Sequence, residues 1–193
     1  MEVAEKTLGI RLLLESLGTL PDPVADPVFI IVSGLPGSGK TYFSRKLAEE
    51  IPVTILESDA LRKTLFPKPT YSPDESAALF QTIHRLIQKL LKDGMSVILD
   101  ATNLSERYRE YLYNIADRLG IKLILIYLKA SPDVISSRLE ARKLDDGNKS
   151  DADWGVYLKM LPTVERIGRR HFVVDTGRDI IPAIKKVIKE ARG

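Results

Sequence analysis

The chain has 193 residues, 44% of them hydrophobic and 28% charged, a mix that suits one globular domain with a full core. Its net charge of +3, from 29 basic and 26 acidic side chains, is too small to imply nucleic-acid binding by itself. Cysteine is absent, which excludes disulfides, thiolate metal sites and cysteine nucleophiles, and no apolar run approaches a membrane span, so a cytoplasmic protein is expected.

Residues 3–17 read as a short helix, with Leu8, Leu12 and Leu13 at helical spacing. "TLPDPVADP" follows, and its prolines at 21, 23 and 27 block helix and sheet alike. Residues 1–27 are therefore expected to be a helix and a connector strapped over the surface of a main domain, 28–193. Strand candidates then run over 28–33, 53–57, 96–100, 122–128 and 171–175, mostly continuous runs of Val, Ile and Leu. Parallel strands covered on both faces have that composition. Helical stretches separate them. In "YSPDESAALFQTIHRLIQKLLKDG" Ser72 can cap, Pro73 fits the first helical position, Glu75 completes a capping box and Gly94 ends the helix. "SPDVISSRLEAR" starts the same way at Ser131. The alternation predicts an α/β fold with about five parallel strands and helices on both faces. No internal repeat or low-complexity segment is present.

"GLPGSGKT" follows the first strand candidate. Gly34, Gly39, Lys40 and Thr41 fit G-x-x-x-x-G-K-[ST], with Leu35, Pro36, Gly37 and Ser38 inside the turn and Tyr42 just after it. Glycines let backbone N–H groups turn inward around a triphosphate, and the helix N-terminus adds its positive dipole end. Lys40 is expected to bridge the outer phosphates of ATP and Thr41 to ligate Mg²⁺. "NKSD" at 148–151 matches a guanine-reading pattern, but it follows a polar stretch after a helix instead of ending a buried strand. Asp100 is followed by Ala-Thr-Asn, without a switch-type Asp-x-x-Gly. A kinase is favoured over a GTPase.

A kinase must also orient an acceptor hydroxyl. Asp59 falls just after the second strand, at the carboxyl edge where open α/β sheets place ligands, with Arg62 three residues on. A proton-accepting carboxylate beside an anion-holding guanidinium suits an acceptor that carries a phosphate near its hydroxyl. A helix-capping Asp59 with a surface Arg62 fits the spacing equally. Asp100 ends the third strand and is placed to hold Mg²⁺ through water. Thr102 and Asn103 open the next loop, and Arg107 and Arg109 lie in the helix after it, Arg109 reading as part of a solvated face. Arg138 and Arg142 stand four apart on one helical face. They read either as surface charges or as a clamp for a transferring phosphoryl, at the start of a charged, mobile lid near 138–154. His84 and His171 read as structural, and Tyr71 as stacking on a base or packing against the sheet.

Taken together, "GLPGSGKT", "SDALR", "ILDATNLSERYR" and "RLEAR" resemble, in this order, the P-loop kinases related to bacteriophage polynucleotide 5′-hydroxyl kinase. Zeta-toxin-like, chloramphenicol-phosphorylating, gluconate and seryl-tRNA kinases are more distant relatives. The resemblance spans about Val28 to Asp175 and implies an adenylate-kinase-like fold with strand order 2-3-1-4-5. It implies Asp59 as general base, Arg62 as holder of the phosphate beside the acceptor hydroxyl, and Arg138 and Arg142 as lid arginines. Thr102, Asn103, Arg107 and Tyr71 are implied on the acceptor side, and by fold analogy Thr176 and Arg178 flank the adenine. The expectation is Mg²⁺-dependent transfer of the γ-phosphoryl of ATP to a polynucleotide 5′-hydroxyl. The alternatives are a small-molecule or aminoacyl hydroxyl as acceptor, or a nucleotide-dependent interaction protein.

Overall fold

The computed structural model describes residues 2–142 and 151–193, with side chains from Leu8 onward. Val28–Ser33 (β1), Thr54–Glu57 (β2), Val97–Asp100 (β3), Lys122–Lys129 (β4) and Phe172–Asp175 (β5) form one parallel sheet in the order β2-β3-β1-β4-β5. This is the fold expected from the sequence. All six residues of β1 are buried because strands and helices surround it: Ile31 pairs with Leu99 of β3 on one side and Leu125 of β4 on the other. Successive side chains point to opposite faces. Phe29 and Ile31 enter one core with Leu56, Val97 and Leu99, while Ile30 and Val32 enter the other with Ile98, Ile124 and Ile126. A slip of one residue would exchange the two sets, so register is tightly specified.

Among the described residues the helices are Glu2–Ser16 (α1), Lys40–Ala48 (α2), Ser58–Leu65 (α3), Pro73–Lys92 (α4), Glu106–Leu119 (α5), Pro132–Arg142 (α6), Trp154–Met160 (α7) and Ile181–Arg192 (α8). Leu79, Ile83, Leu86 and Leu90 of α4, with Leu112 and Tyr113 of α5, build the first core. Phe43 and Leu47 of α2, with Ile184 and Val187 of α8, build the second. None of these helices is long and apolar enough to cross a membrane.

Three local expectations change. On α1, Leu13 is buried and Ile10, Leu14 and Leu17 pack beside it, but Leu8 and Leu12 are exposed. The buried arc is the one that meets α3 and α4, which sequence spacing does not reveal. The start of α4 makes half of the expected capping box. Ser72 Oγ accepts the Glu75 N–H at 3.2 Å, but the Glu75 carboxylate accepts from Thr70, Tyr71 and Arg62, and the Ser72 N–H turns to Thr70 Oγ1. The end of α4 is a Schellman turn: Gly94, at φ +80°, donates to Leu91 O at 3.1 Å and Met95 to Leu90 O at 2.9 Å. The proline-rich connector lies against this turn, the Val24 N–H reaching Gly94 O at 2.8 Å. Arg109 is the third change and belongs to the site.

Candidate nucleotide and acceptor site

Because all strands are parallel, their carboxyl ends meet at one edge. The turn after β1 is the phosphate loop. Gly34 donates its N–H to Thr102 O at 3.1 Å, and Ser33 Oγ bonds the Thr102 and Asn103 carbonyls, both at 3.0 Å. A Cβ on Gly34 would lie 2.5 Å from Leu128 O and 2.6 Å from Ser38 Oγ, so only glycine fits. Gly37, at φ +78°, would place a Cβ 2.8 Å from Ile135 Cγ2. Lys40 donates to Leu35 O at 3.2 Å, and the Thr41 hydroxyl donates to Asp100 Oδ2 at 2.6 Å. Burial pushes the Lys40 pKa down, against the pull of Asp100 and Asp59, and Arg142 lowers it further. Burial pushes the Asp100 carboxyl up, against Lys40 and the Thr41 hydroxyl. Lys40, Asp59, Asp100 and Arg142 are therefore within electrostatic reach of one point.

The loop fits a phosphate. Ser38 Oγ is buried with no hydrogen-bond partner among the described residues, and the glycine cradle admits no Cβ. Thr41 Oγ1 and Asp100 Oδ2 also present two adjacent hard oxygens of the kind that bind Mg²⁺. Arg138 closes the loop from α6: Nη1 donates to Gly37 O at 3.2 Å and Thr176 Oγ1 at 2.8 Å, and Nη2 to Thr176 O at 2.7 Å. Thr176 Oγ1 in turn donates to Ser38 O at 2.9 Å. Beside these residues opens a cavity of about 380 Å³, lined by Tyr42, Arg138, Arg142, Thr176, Arg178 and Ile181 among others. Arg178 pairs with Asp175 at 3.5 Å on its exposed rim. The residues expected on the nucleotide side thus come together. Residues 143–150, the middle of the expected lid and the first three of "NKSD", lie outside the described residues.

The acceptor side is arranged differently. Asp59 lies half-buried in the first turn of α3. Arg62 is buried instead of open to an anion. Its Nη1 donates to Glu75 at 2.5 Å and its Nη2 to Ser76 Oγ at 3.3 Å, and its guanidinium lies 4.8 Å over the Tyr71 ring. Tyr71 does not pack on the sheet. It is exposed, left-handed at φ +56°, and donates its hydroxyl to Asp151, which also pairs with Lys63 at 3.1 Å. Asn103, at φ +48°, donates its amide to Val32 O at 3.1 Å, so it and Thr102 latch the β3–α5 loop to the end of β1. Arg107 is exposed.

Arg109 overturns the expectation of a solvated face. It is 1% exposed and donates to Glu106 at 2.7 Å, Asn103 O at 2.6 Å, Glu165 O at 3.0 Å and Arg166 O at 2.9 Å. Its fork ties the Thr102–Asn103 loop to the segment before β5. Of the histidines, His84 lies between the Phe80 and Tyr111 rings, its pKa lowered by burial, and His171 Nδ1 meets Arg169 O at 2.8 Å.

The profile of the AAA_33 family, described as an AAA domain, matches residues 29–167. The chain is 33% identical over 116 residues to the L-seryl-tRNA(Sec) kinase of Methanococcus maripaludis, an alignment covering 58% of this chain and 44% of that protein. It is 27% identical over 116 residues to the probable adenylyl-sulfate kinase of Aeropyrum pernix, covering 58% and 63%. The chain thus spans about half the length of these curated relatives. Among solved structures, Chaetomium thermophilum Kti12 in complex with ADP-AlF3 superposes with a TM-score of 0.66 at 18% identity, over 86% of this chain and 99% of that one, a likeness of fold.

Proposed function

The chain belongs to the AAA_33 family of AAA domains, and from that premise and its phosphate loop we propose that it is an ATP-dependent phosphotransferase acting on a hydroxyl. The observation that carries the reading is the glycine cradle with an unpaired Ser38 hydroxyl, at whose mouth Lys40 stands beside the Thr41–Asp100 pair. Backbone N–H groups at the start of α2 receive the phosphates of ATP, and Lys40 leaves the Leu35 carbonyl for their outer oxygens. Thr41 and Asp100 would hold Mg²⁺, which would supply positive charge to neutralise the phosphates. Arg138 fixes the loop against the Thr176 turn, and Arg142, which lines the cavity beside it, supplies a second cation for the transferring group. Asp59 takes the acceptor hydroxyl proton. The acceptor oxygen forms its bond to Pγ while the bond from Pγ to the β,γ-bridging oxygen breaks, and ADP leaves.

The acceptor is the open part of the reading. A polynucleotide 5′-hydroxyl requires an anion holder beside Asp59, and Arg62 is engaged by Glu75. That pairing favours the other acceptor class, a small-molecule or aminoacyl hydroxyl, in keeping with the seryl-tRNA and adenylyl-sulfate kinases among the relatives. The test is transfer from γ-labelled ATP to a panel of 5′-hydroxyl DNA and RNA, aminoacylated tRNA, sugars and sugar alcohols, with the parent and Asp59→Asn. The parent should label one acceptor class, and Asp59→Asn should lower the rate about 10²-fold or more with ATP binding unchanged. If no hydroxyl is labelled, the phosphotransferase reading fails. If Asp59→Asn weakens ATP binding and spares transfer, Asp59 belongs to the metal site.

A further inference from the structure

The acceptor side contains an anion cradle that phosphate-loop chemistry does not use. Four donors converge on the two oxygens of Glu75: Arg62 Nη1 at 2.5 Å, the Thr70 N–H at 2.6 Å, the Thr70 hydroxyl at 2.8 Å and the Tyr71 N–H at 3.3 Å. The left-handed backbone of Tyr71, uncommon for a side chain of that size, belongs to this turn. Glu75 also sits in the first turn of a 20-residue helix, where the backbone dipole favours negative charge. A guanidinium, two backbone N–H groups and a hydroxyl form the kind of donor set that binds phosphate. Here a side chain of the protein supplies the anion. Both partners are buried, and the Tyr71 ring covers the guanidinium.

The cradle adjoins the reacting position. Arg62 is one turn from Asp59 on α3, and the charge of Asp59 acts on both Tyr71 and Lys40. Lys63, the neighbouring cation on α3, is paired with Asp151. A phosphate entering beside Asp59 would meet no uncommitted cation on this helix, and it would have to displace a carboxylate already held by four donors.

We infer that Glu75 is a specificity-determining residue, a resident anion that fills the cradle beside Asp59, so that the protein takes acceptors bearing no phosphate next to the reacting hydroxyl. The inference rests on Asp59 being the acceptor-side carboxylate. It differs from a purely structural α3–α4 clasp in one consequence: removing the carboxylate should create a phosphate site, as well as loosen the fold.

The experiment loads the phosphate loop with a non-hydrolysable ATP analogue, so that the γ-phosphate position is filled, then titrates inorganic phosphate or glycerol 2-phosphate, a molecule with hydroxyls beside a phosphate. Calorimetry and thermal unfolding read the binding, with potassium chloride of matched ionic strength as control. The parent should show no response beyond the control. Glu75→Ala should bind both probes about tenfold or more tighter than the parent, the scale of one charge-assisted contact. Adding Arg62→Met should remove the gain. If Glu75→Ala does not fold without phosphate, Glu75→Gln replaces it, and a smaller gain in the same direction is expected. The inference is overturned if the parent loaded with the analogue binds either probe as tightly as the variant, if neither variant gains binding, or if the gain survives loss of Arg62. No transfer is measured, so a failure of the acceptor panel and a failure of the cradle remain separate results.

Discussion

Lys40 and Arg62 are both buried or half-buried cations at the carboxyl edge of one sheet, and they differ in what they hold. Lys40 donates to a neutral carbonyl, next to a Ser38 hydroxyl that no described residue satisfies. Arg62 donates to a carboxylate and an exposed tyrosine ring shields it. On the nucleotide side burial works against both charges, lowering Lys40 and raising Asp100. On the acceptor side burial also pushes the Glu75 carboxyl up, but the donors from Thr70, Arg62 and Tyr71 outweigh it and bring it to about 2. The nucleotide side is electrostatically incomplete and gains most from an incoming anion and cation. The acceptor side has completed itself and gains little from another charge. The contrast is what the proposed reading expects of a nucleotide side that takes the ligand's phosphates and an acceptor side that takes none.

The strongest way to break this contrast is to remove the unsatisfied cation. Lys40→Ala should lower turnover on any identified acceptor by about 10²- to 10³-fold, the usual loss when one preorganised donor to developing charge is removed. It should not lower stability. Burial disfavours the charged form of Lys40, so folding gains nothing from that charge, and thermal unfolding of the variant should occur no earlier than that of the parent. A parent-like rate would refute the phosphate-loop assignment. A large loss of stability would show that Lys40 is as structurally satisfied as Arg62.

The nucleotide side was also the more legible in sequence, for the same physical reason. A phosphate loop is built from residues adjacent in the chain, so its glycines, lysine and threonine stand together in sequence, even though Leu128 and Ile135 also press on Gly34 and Gly37. The strands were equally readable, since each is a short apolar run bounded by polar or turn residues. β1 is Val28–Ser33 as read, β2, β3 and β5 begin one residue later than read, and β4 runs one residue further, to Lys129. What sequence could not show is partner choice across distance. Arg109 lies in a polar helix with Arg107 and Glu110 around it, and nothing in that pattern reveals that the Glu165 and Arg166 carbonyls come to meet it. Glu75 did carry a signal, but its spacing from Ser72 fitted a capping box, and the local reading concealed the contact with Arg62 thirteen residues earlier. The helical spacing of Leu8, Leu12 and Leu13 gave the helix but not its buried side, because α1 has apolar residues over a wide arc and only the position of α3 and α4 decides which part is buried.

A sharper test compares the two arginines of α6. Arg138 is committed to the loop through three bonds to Gly37 and Thr176, whereas Arg142 acts on the charge of Lys40. If both clamp the transferring phosphoryl, each alanine variant should reduce kcat more than it raises the KM for ATP, and by less than the ~10³-fold or more typical of a lone arginine finger. The double variant should fall short of the product of the two, because both act on one charge. Only Arg138→Ala should also lower the unfolding temperature, since it frees the Thr176 turn. Full additivity in kcat would place the two arginines on separate steps, and parent rates in all three variants would make them surface charges.

The smallest expected effect concerns the completed side, and its sign follows from linkage. Glu75 has a folded-state pKa of about 2, below the ~4.3 of a free glutamate. A carboxylate lowered on folding contributes stability that is fully present above its unfolded value and is lost as pH falls through its folded value. The protein should therefore lose stability between about pH 5 and pH 2, the range bracketed by these two values. Asp117, lowered chiefly by its bond from Arg169, and Asp151, lowered chiefly by the Tyr71 hydroxyl and then by Lys63, act in the same direction. The parent curve alone does not isolate Glu75, but its difference from Glu75→Gln does. Glutamine keeps one acceptor oxygen, enough for either the Thr70 pair or the Tyr71 N–H, and removes the titrating proton. Urea unfolding at half-unit pH steps should give a shallower slope for Glu75→Gln below pH 5, and two curves separated by a constant above it. Parallel curves over the whole range would mean that Glu75 titrates normally, and the acceptor side would then be as open to an outside anion as the phosphate loop.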